Sequence, residues 1–208
     1  NDLLENQIGL LLWNSSSENS VSENKLLNNY NGLQTYGCER NIFSRNNAST
    51  NRNYGAGFAF SHQNEIRDNE FNQNRERGLV LISSFQNMMR NNRMDENRYN
   101  FGAGGENDID LSNTVDGKPI FYLVRRSDVV VDSGSEAGTV YCIDCVNITV
   151  RGLSLKKNAC GIYLYNTTAS RLEKNLISTN ENGITLVASY QNALEGNVVS
   201  DNEADGIG

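Results

Sequence analysis

One spacing dominates this sequence. Leu172, Asn175, Ile177, Asn180, Gly183, Ile184 and Leu186 form a template with polar residues in most gaps. Shifting back by 22 residues lands on Val150, Leu153, Leu155, Asn158, Gly161, Ile162 and Leu164. Shifting forward reaches Leu194, Asn197, Val199, Asn202, Gly206 and Ile207, with one extra residue before the glycine. The first half repeats the signature in Val21, Asn24, Leu26, Asn29, Gly32, Leu33 and Thr35, and again in Ile66, Asn69, Phe71, Asn74, Gly78, Leu79 and Leu81. Asn1, Leu3, Asn6, Gly9, Leu10 and Leu12 fit as well. Looser turns run from Ile42 to Phe60, with Arg45 in place of the inner asparagine, and from Met89 to Gly102.

A period of this length restricts the chain to a stacked architecture, because one unit cannot bury its own apolar face. Within a unit the apolar residues stand two apart in runs too short for helices, so each unit reads as short strands joined by corners. The 33 asparagines in 208 residues then have a structural cause. At fixed corner positions their amides can pair with the turns above and below. Glycine at the next corner supplies a positive φ or a close approach.

That repeat, with the segment Asn107-Asp-Ile-Asp-Leu-Ser-Asn-Thr-Val-Asp-Gly-Lys-Pro-Ile-Phe-Tyr-Leu-Val124, Val129 to Asp132 and Tyr141-Cys-Ile-Asp-Cys-Val-Asn-Ile-Thr149, resembles right-handed parallel β-helix proteins. The nearest likeness is to the NosD-type group and its carbohydrate-binding and sugar-hydrolase (CASH) relatives, archaeal, methanogen-like cell-surface members in particular. The resemblance implies the fold and an extracellular or cell-surface setting. It leaves the chemistry open, since such folds host lyases, hydrolases, epimerases, adhesins and structural arrays.

The expected architecture is a single all-β domain over residues 1–208, a right-handed, single-stranded parallel β-helix of eight or nine coils. Handedness follows from the crossover rule for parallel strands. Residues 106–138 interrupt it as an irregular longer turn. The inward column comprises Leu10, Leu12, Leu33, Phe58, Phe60, Leu79, Leu81, Val140, Cys142, Ile162, Leu164, Ile184 and Leu186. Asn1 and Gly208 both fall in mid-turn, so further coils are expected beyond this sequence. The net charge of -7 and sequence pI of about 4.8 disfavour phosphate backbones, so nucleic acid is not an expected partner. No apolar run of eighteen residues is present, and neither a membrane span nor a signal peptide is read from this segment.

Residues able to do chemistry are sparse. His62 is the only histidine, which rules out a multi-histidine metal site or a Ser/His/Asp triad without it, and its corner position reads as structural. Cys142 and Cys145 have the spacing of a redox or zinc half-site. The register puts Cys142 inward and Cys145 at a corner, facing opposite sides. Met88, Met89 and Met94 are the only methionines and read as core, which leaves copper delivery as a minor alternative. No cofactor or metal is expected. A polysaccharide lyase, hydrolase or epimerase is the other alternative, with Asp108, Asp110, Arg125, Arg126 and Asp128 as its candidate catalytic groups, Asp116 and Lys118 beside them.

The outward side of the strand after each glycine is more telling. Two and four residues beyond it stand Leu11 and Trp13, Gln34 and Tyr36, Ala59 and Ser61, Val80 and Ile82, Tyr141 and Ile143, Tyr163 and Tyr165, Thr185 and Val187. Coils roughly 4.8 Å apart would stack these into an apolar stripe, and contiguous stripes mark interaction surfaces. Trp13, Tyr36, Ile82, Tyr141, Tyr163 and Tyr165 are therefore the candidate binding residues. Asn14, Asn47, Asn147 and Asn166 open Asn-X-Ser/Thr sequons and are candidate glycosylation sites if the protein is exported. The leading expectation is a non-catalytic surface module that binds a glycan or a cell-surface protein, or self-assembles, through this stripe.

Overall fold

The computed structural model describes residues 1–208, all in short strands and corners apart from one 3-10 turn at Ser133–Ser135. The chain divides into two compact units, Asn1–Gly117 and Lys118–Gly208.

In the first unit, Ile8–Trp13, Asn31–Tyr36, Tyr54–Ala59, Arg77–Ile82 and Tyr99–Ala103 form one 5-stranded parallel sheet, one strand from each coil. Ser20–Ser22, Ile42–Ser44, Glu65–Arg67, Met88–Arg90 and Asp108–Ile109 form a second. A third face is less regular: Asp2–Leu4 pairs with Lys25–Leu27, single bridges link Lys25, Asn47, Glu70 and Arg93, and Arg93–Met94 pairs with Thr114–Val115.

In the second unit, Lys118–Val124, Thr139–Ile143, Cys160–Tyr165 and Asn182–Val187 stack in parallel. Val130–Val131, Thr149–Arg151, Arg171–Glu173 and Ala193–Glu195 make a 4-stranded sheet, and Ser154–Lys156, Leu176–Ser178 and Val198–Ser200 the remaining face. The segment 106–138, expected to be irregular, thus carries coil strands. Lys118–Val124 pairs over five residues with Thr139–Ile143, and Ile120 and Val131 are fully buried. Its polar turn residues masked an ordinary period-2 strand.

One corner device recurs. The residue before each ladder asparagine is left-handed: Glu23, Arg45, Asp68 and Asn91, with φ of 56, 54, 57 and 54°, precede Asn24, Asn46, Asn69 and Asn92. A non-glycine residue there costs roughly 1–2 kcal/mol. Hydrogen bonds offset it. Asp68 donates its N–H to Arg90 O at 2.9 Å, and Asn69 then satisfies every valence of its amide. Its Oδ1 accepts from Asn46 N–H and Nδ2 (2.9 and 3.1 Å), and its Nδ2 donates to Phe43 O and Asn92 Oδ1 (both 2.9 Å). Two further columns, through Asn29, Asn51 and Asn74 and through Asn41, Asn64 and Asn87, repeat the pattern.

The glycine column serves close approach rather than positive φ. A Cβ on Gly55 would stand 2.6 Å from both Asn74 Nδ2 and Gly78 O. Gly55 is also the residue in line with Gly32, because Ala56 pairs with Leu33 and Phe58 with Thr35. The looser turn was therefore anchored on the wrong glycine, Gly57, two residues further along the strand. Asn46 fills the inner asparagine position credited to Arg45, and Phe60, expected in the core, is 49% exposed with φ 49°. The strand ends at Ala59, so alternation stops there and the left-handed Phe60 turns outward. Ser61, expected outside, is fully buried and its Oγ accepts the Cys38 N–H at 3.2 Å.

The rest of the predicted column is internal. Leu33, Phe58, Leu79, Leu81, Val140, Cys142, Ile162, Leu164 and Ile184 are buried, while Leu10, Leu12 and Leu186 are half-buried.

Candidate functional site: an exposed aromatic stripe

On the first unit's longest sheet, the outward column runs Trp13, Tyr36, Ala59, Ile82 in strict register. The Trp13 and Tyr36 rings stack with centroids 4.8 Å apart and planes 17° from parallel. Ala59 has no ring to continue the stack. Phe60, turned outward by its left-handed backbone, supplies one and meets Tyr36 edge-on at 5.4 Å. Trp13, Tyr36, Phe60 and Ile82 are 58, 44, 49 and 47% exposed, so the stripe is open along its length. Leu11 flanks it and is also exposed, whereas Val80, expected outside, is 8% exposed. Phe60 is the member that sequence reasoning missed. The one-residue insertion before Gly55 is the signal that would have found it.

His62 has the structural role expected. Its Nδ1 accepts the Phe85 N–H at 3.1 Å and its ring stacks on Phe85 at 5.4 Å.

The second unit carries a different aromatic ladder. Tyr122, Tyr141 and Tyr163 follow one another at 5.4 and 5.5 Å, and Tyr141, a candidate binding residue, has no exposed surface. It points outward, as strand alternation demands, yet lies between the rings of the adjacent coils, so it cannot serve as an open platform. Ile143 is buried as well. Tyr163 is half-buried, and desolvation pushes its hydroxyl above the ordinary tyrosine range. Tyr165 and Val187 remain exposed.

The cysteine pair also departs from expectation. Both Cys142 and Cys145 are fully buried and reduced. Asp144, at φ 54°, turns the chain so that Cys145 joins the inward hydroxyl column of Thr167 and Ser189. The two thiols share a hydrogen bond instead of facing opposite sides. It lowers Cys145 to about 7 and, with burial, raises Cys142 well above the ordinary range.

The alternative catalytic set is divided between the two units. Asp108 and Asp110 belong to the first unit and both pair with Arg90. Arg125, Arg126 and Asp128 belong to the second unit and are exposed, with Asp128 accepting from Asn147 Nδ2 at 2.7 Å. Of the sequon asparagines, Asn14, Asn147 and Asn166 are exposed in left-handed corners, whereas Asn47 is half-buried against Glu70.

Stacked parallel coils, interior asparagine ladders and an open aromatic stripe define a β-solenoid repeat protein. The family profile described as "Periplasmic copper-binding protein (NosD)" matches residues 1–117 and 107–208. The chain belongs to that family.

No curated protein matches the sequence. Among solved structures, the periplasmic alginate epimerase AlgG is similar at 15% identity and a TM-score of 0.44, over 94% of this chain and 44% of that one. A double mutant of the same epimerase gives 15% and 0.45, over 92% and 44%. The chain thus spans less than half the length of these structures.

The family description raises copper, and the donor set does not suit it. Met89 and Met94 are sealed in the first unit's core, and the His62 Nδ1 is already engaged. Cys38 and Cys160 bond to Tyr36 O and Thr185, and the Cys142–Cys145 pair is enclosed. Nowhere do three or more His, Cys, Asp or Glu gather as a metal ion would require.

Proposed function

We propose that this chain is a non-catalytic β-solenoid module, working outside the cytoplasm in the periplasm or at the cell surface, that binds glycans on the stripe of Trp13, Tyr36 and Phe60. The Trp13–Tyr36 stack carries the reading. Two large rings stack face to face and leave their edges open along the stripe, and such an amphipathic ridge suits sugars, which are apolar on one side and hydroxylated on the other. Phe60 adds weight, because a bulky residue held left-handed costs about 1–3 kcal/mol and here gains little burial in return. The family's periplasmic description supports the location, and no helix is long and apolar enough to cross a membrane.

The test is a glycan array and a pull-down from cell-envelope extract, comparing the wild-type chain with a Trp13→Ala/Tyr36→Ala/Phe60→Ala variant. Circular dichroism first establishes that both are folded. Loss in the variant of at least one glycan that the wild type retains is the expected result. Equal retention of every glycan by both proteins, or capture of protein alone, rejects glycan binding at the stripe. Turnover of an acidic polysaccharide that disappears in Asp108→Ala or Arg125→Ala would instead make the chain an enzyme.

A further inference from the structure

The third face of the first unit carries a recess. Where Lys25–Leu27 and Arg93–Met94 form strands, the coils between them keep only single bridges. Side chains replace the missing backbone bonds: Asn72 donates its N–H to Ser49 Oγ at 3.0 Å, and Asp95 its N–H to Asn72 Oδ1 at 2.8 Å. Backbone bonds on either side, Ala48 N–H to Glu70 O at 2.8 Å and Thr50 N–H to Asn72 O at 3.0 Å, keep the coils in contact, and a trench of about 320 Å³ lined by Ser49, Asn72 and Asp95 opens on this face. That is at the low end of the roughly 300–1,000 Å³ typical of small-molecule sites.

Its rims are built alike. On one, Asn47 Nδ2 donates to Glu70 Oε2 at 3.2 Å; on the other, Gln73 Nε2 donates to Glu96 Oε2 at 2.9 Å. Each amide keeps a second N–H and each carboxylate a second oxygen. An adjacent donor and acceptor of this kind match two neighbouring hydroxyls, one accepting from the amide and one donating to the carboxylate. The lining holds Glu70, Asp95 and Glu96 against Arg93 alone, three negative charges to one positive, a net -2, and Arg93 is already paired with Asp95. Such a site repels uronates, sulfates and phosphates. Nor do the carboxylates gather as a cation would require.

We infer that this trench binds neutral, hydroxyl-rich saccharides, one or two rings at a time, on a face separate from the aromatic stripe and independently of it. The experiment is calorimetric titration of the whole chain with maltohexaose, cellohexaose and mannohexaose as neutral probes, and with hexagalacturonate and hexalysine as charged ones. At least one neutral probe binds the wild type and Trp13→Ala/Tyr36→Ala alike, and binds at least tenfold more weakly to Glu70→Ala/Gln73→Ala. Both altered side chains are exposed, and matching thermal melts verify the fold of that variant. Three results overturn the inference: no neutral probe binds, binding survives the trench substitutions, or hexagalacturonate or hexalysine binds more tightly than every neutral probe. Loss of neutral binding only in the Trp13/Tyr36 variant assigns the sugar to the stripe and also overturns it.

Discussion

Asn46 and Asn69 are joined twice, since both the N–H and the Nδ2 of Asn46 converge on the one Oδ1 of Asn69 at 2.9 and 3.1 Å. Asn69 is 1% exposed, so no water can take over these bonds if the amide is lost.

Asn69→Ala strands the Asn46 donors and the Nδ2 bond to Phe43 O together, and leaves Asn92 Oδ1 with the backbone N–H of residue 69 alone. At about 1–3 kcal/mol for each uncompensated buried group, relaxed in part by neighbours, the expected loss is about 3 kcal/mol. Asn69→Asp should cost at least as much, because a carboxylate offers no donor to Phe43 O or Asn92 Oδ1. Urea denaturation checks both, with Arg52→Ala, exposed and outside the left-handed corners, expected within about 0.5 kcal/mol of wild type.

Gly55→Ala places a methyl 2.6 Å from a backbone oxygen of the next coil and 2.8 Å from Ala48 O. Backbone on two sides cannot yield cheaply, and a loss of about 1–3 kcal/mol is expected. Gly57→Ala is the contrast, since its nearest neighbour is Tyr54 Cδ2 at 3.5 Å, an ordinary contact. Thermal melts of the two variants should differ by several degrees.

Phe60 separates a corner from a core position. As a core residue it would lose about 3–5 kcal/mol on truncation to alanine. As an exposed left-handed corner it should lose far less, and Phe60→Gly should be more stable than Phe60→Ala by about 1 kcal/mol, because glycine carries no penalty at φ 49°.

Cys145 should titrate near pH 7, lowered by its hydrogen bond with Cys142. Thiolate absorbance at 240 nm should show one midpoint there, and Cys142→Ala should move it upward. The sign for stability follows from a folded value below the unfolded one. The contribution of Cys145 is complete above the ordinary thiol range and is lost as pH falls through about 7. Melting temperature should therefore rise from pH 6 to pH 8.5 more in the wild type than in Cys145→Ser.

The repeat, the asparagine ladders and most of the core were legible because one residue type recurs at a fixed offset, and the period alone aligns it. What escaped was whatever the corners decide. A left-handed residue breaks strand alternation, so Phe60 and Cys145 were assigned to the wrong sides and Arg45 was credited with the place of Asn46. Tyr141 illustrates a second limit. Its direction followed from the pleat, but its burial depends on the rings at 122 and 163 in adjacent coils. The trench was invisible for a third reason, since its lining gathers side chains from coils 22 or 23 residues apart whose amide–carboxylate pairing no single repeat displays.

The asparagine ladders also have a sense. In the first unit the inter-amide bonds of the three ladder columns run from the Nδ2 of the earlier coil to the Oδ1 of the later one, from Asn24 to Asn46 to Asn69 to Asn92 and likewise in the other two columns. The amide dipoles therefore add along the stacking axis, and each bond polarises the next. The two ends of such a stack are chemically unlike, one rich in acceptors and the other in donors. Any further coil or second solenoid that extends the array must join head to tail, and a head-to-head contact would set like against like.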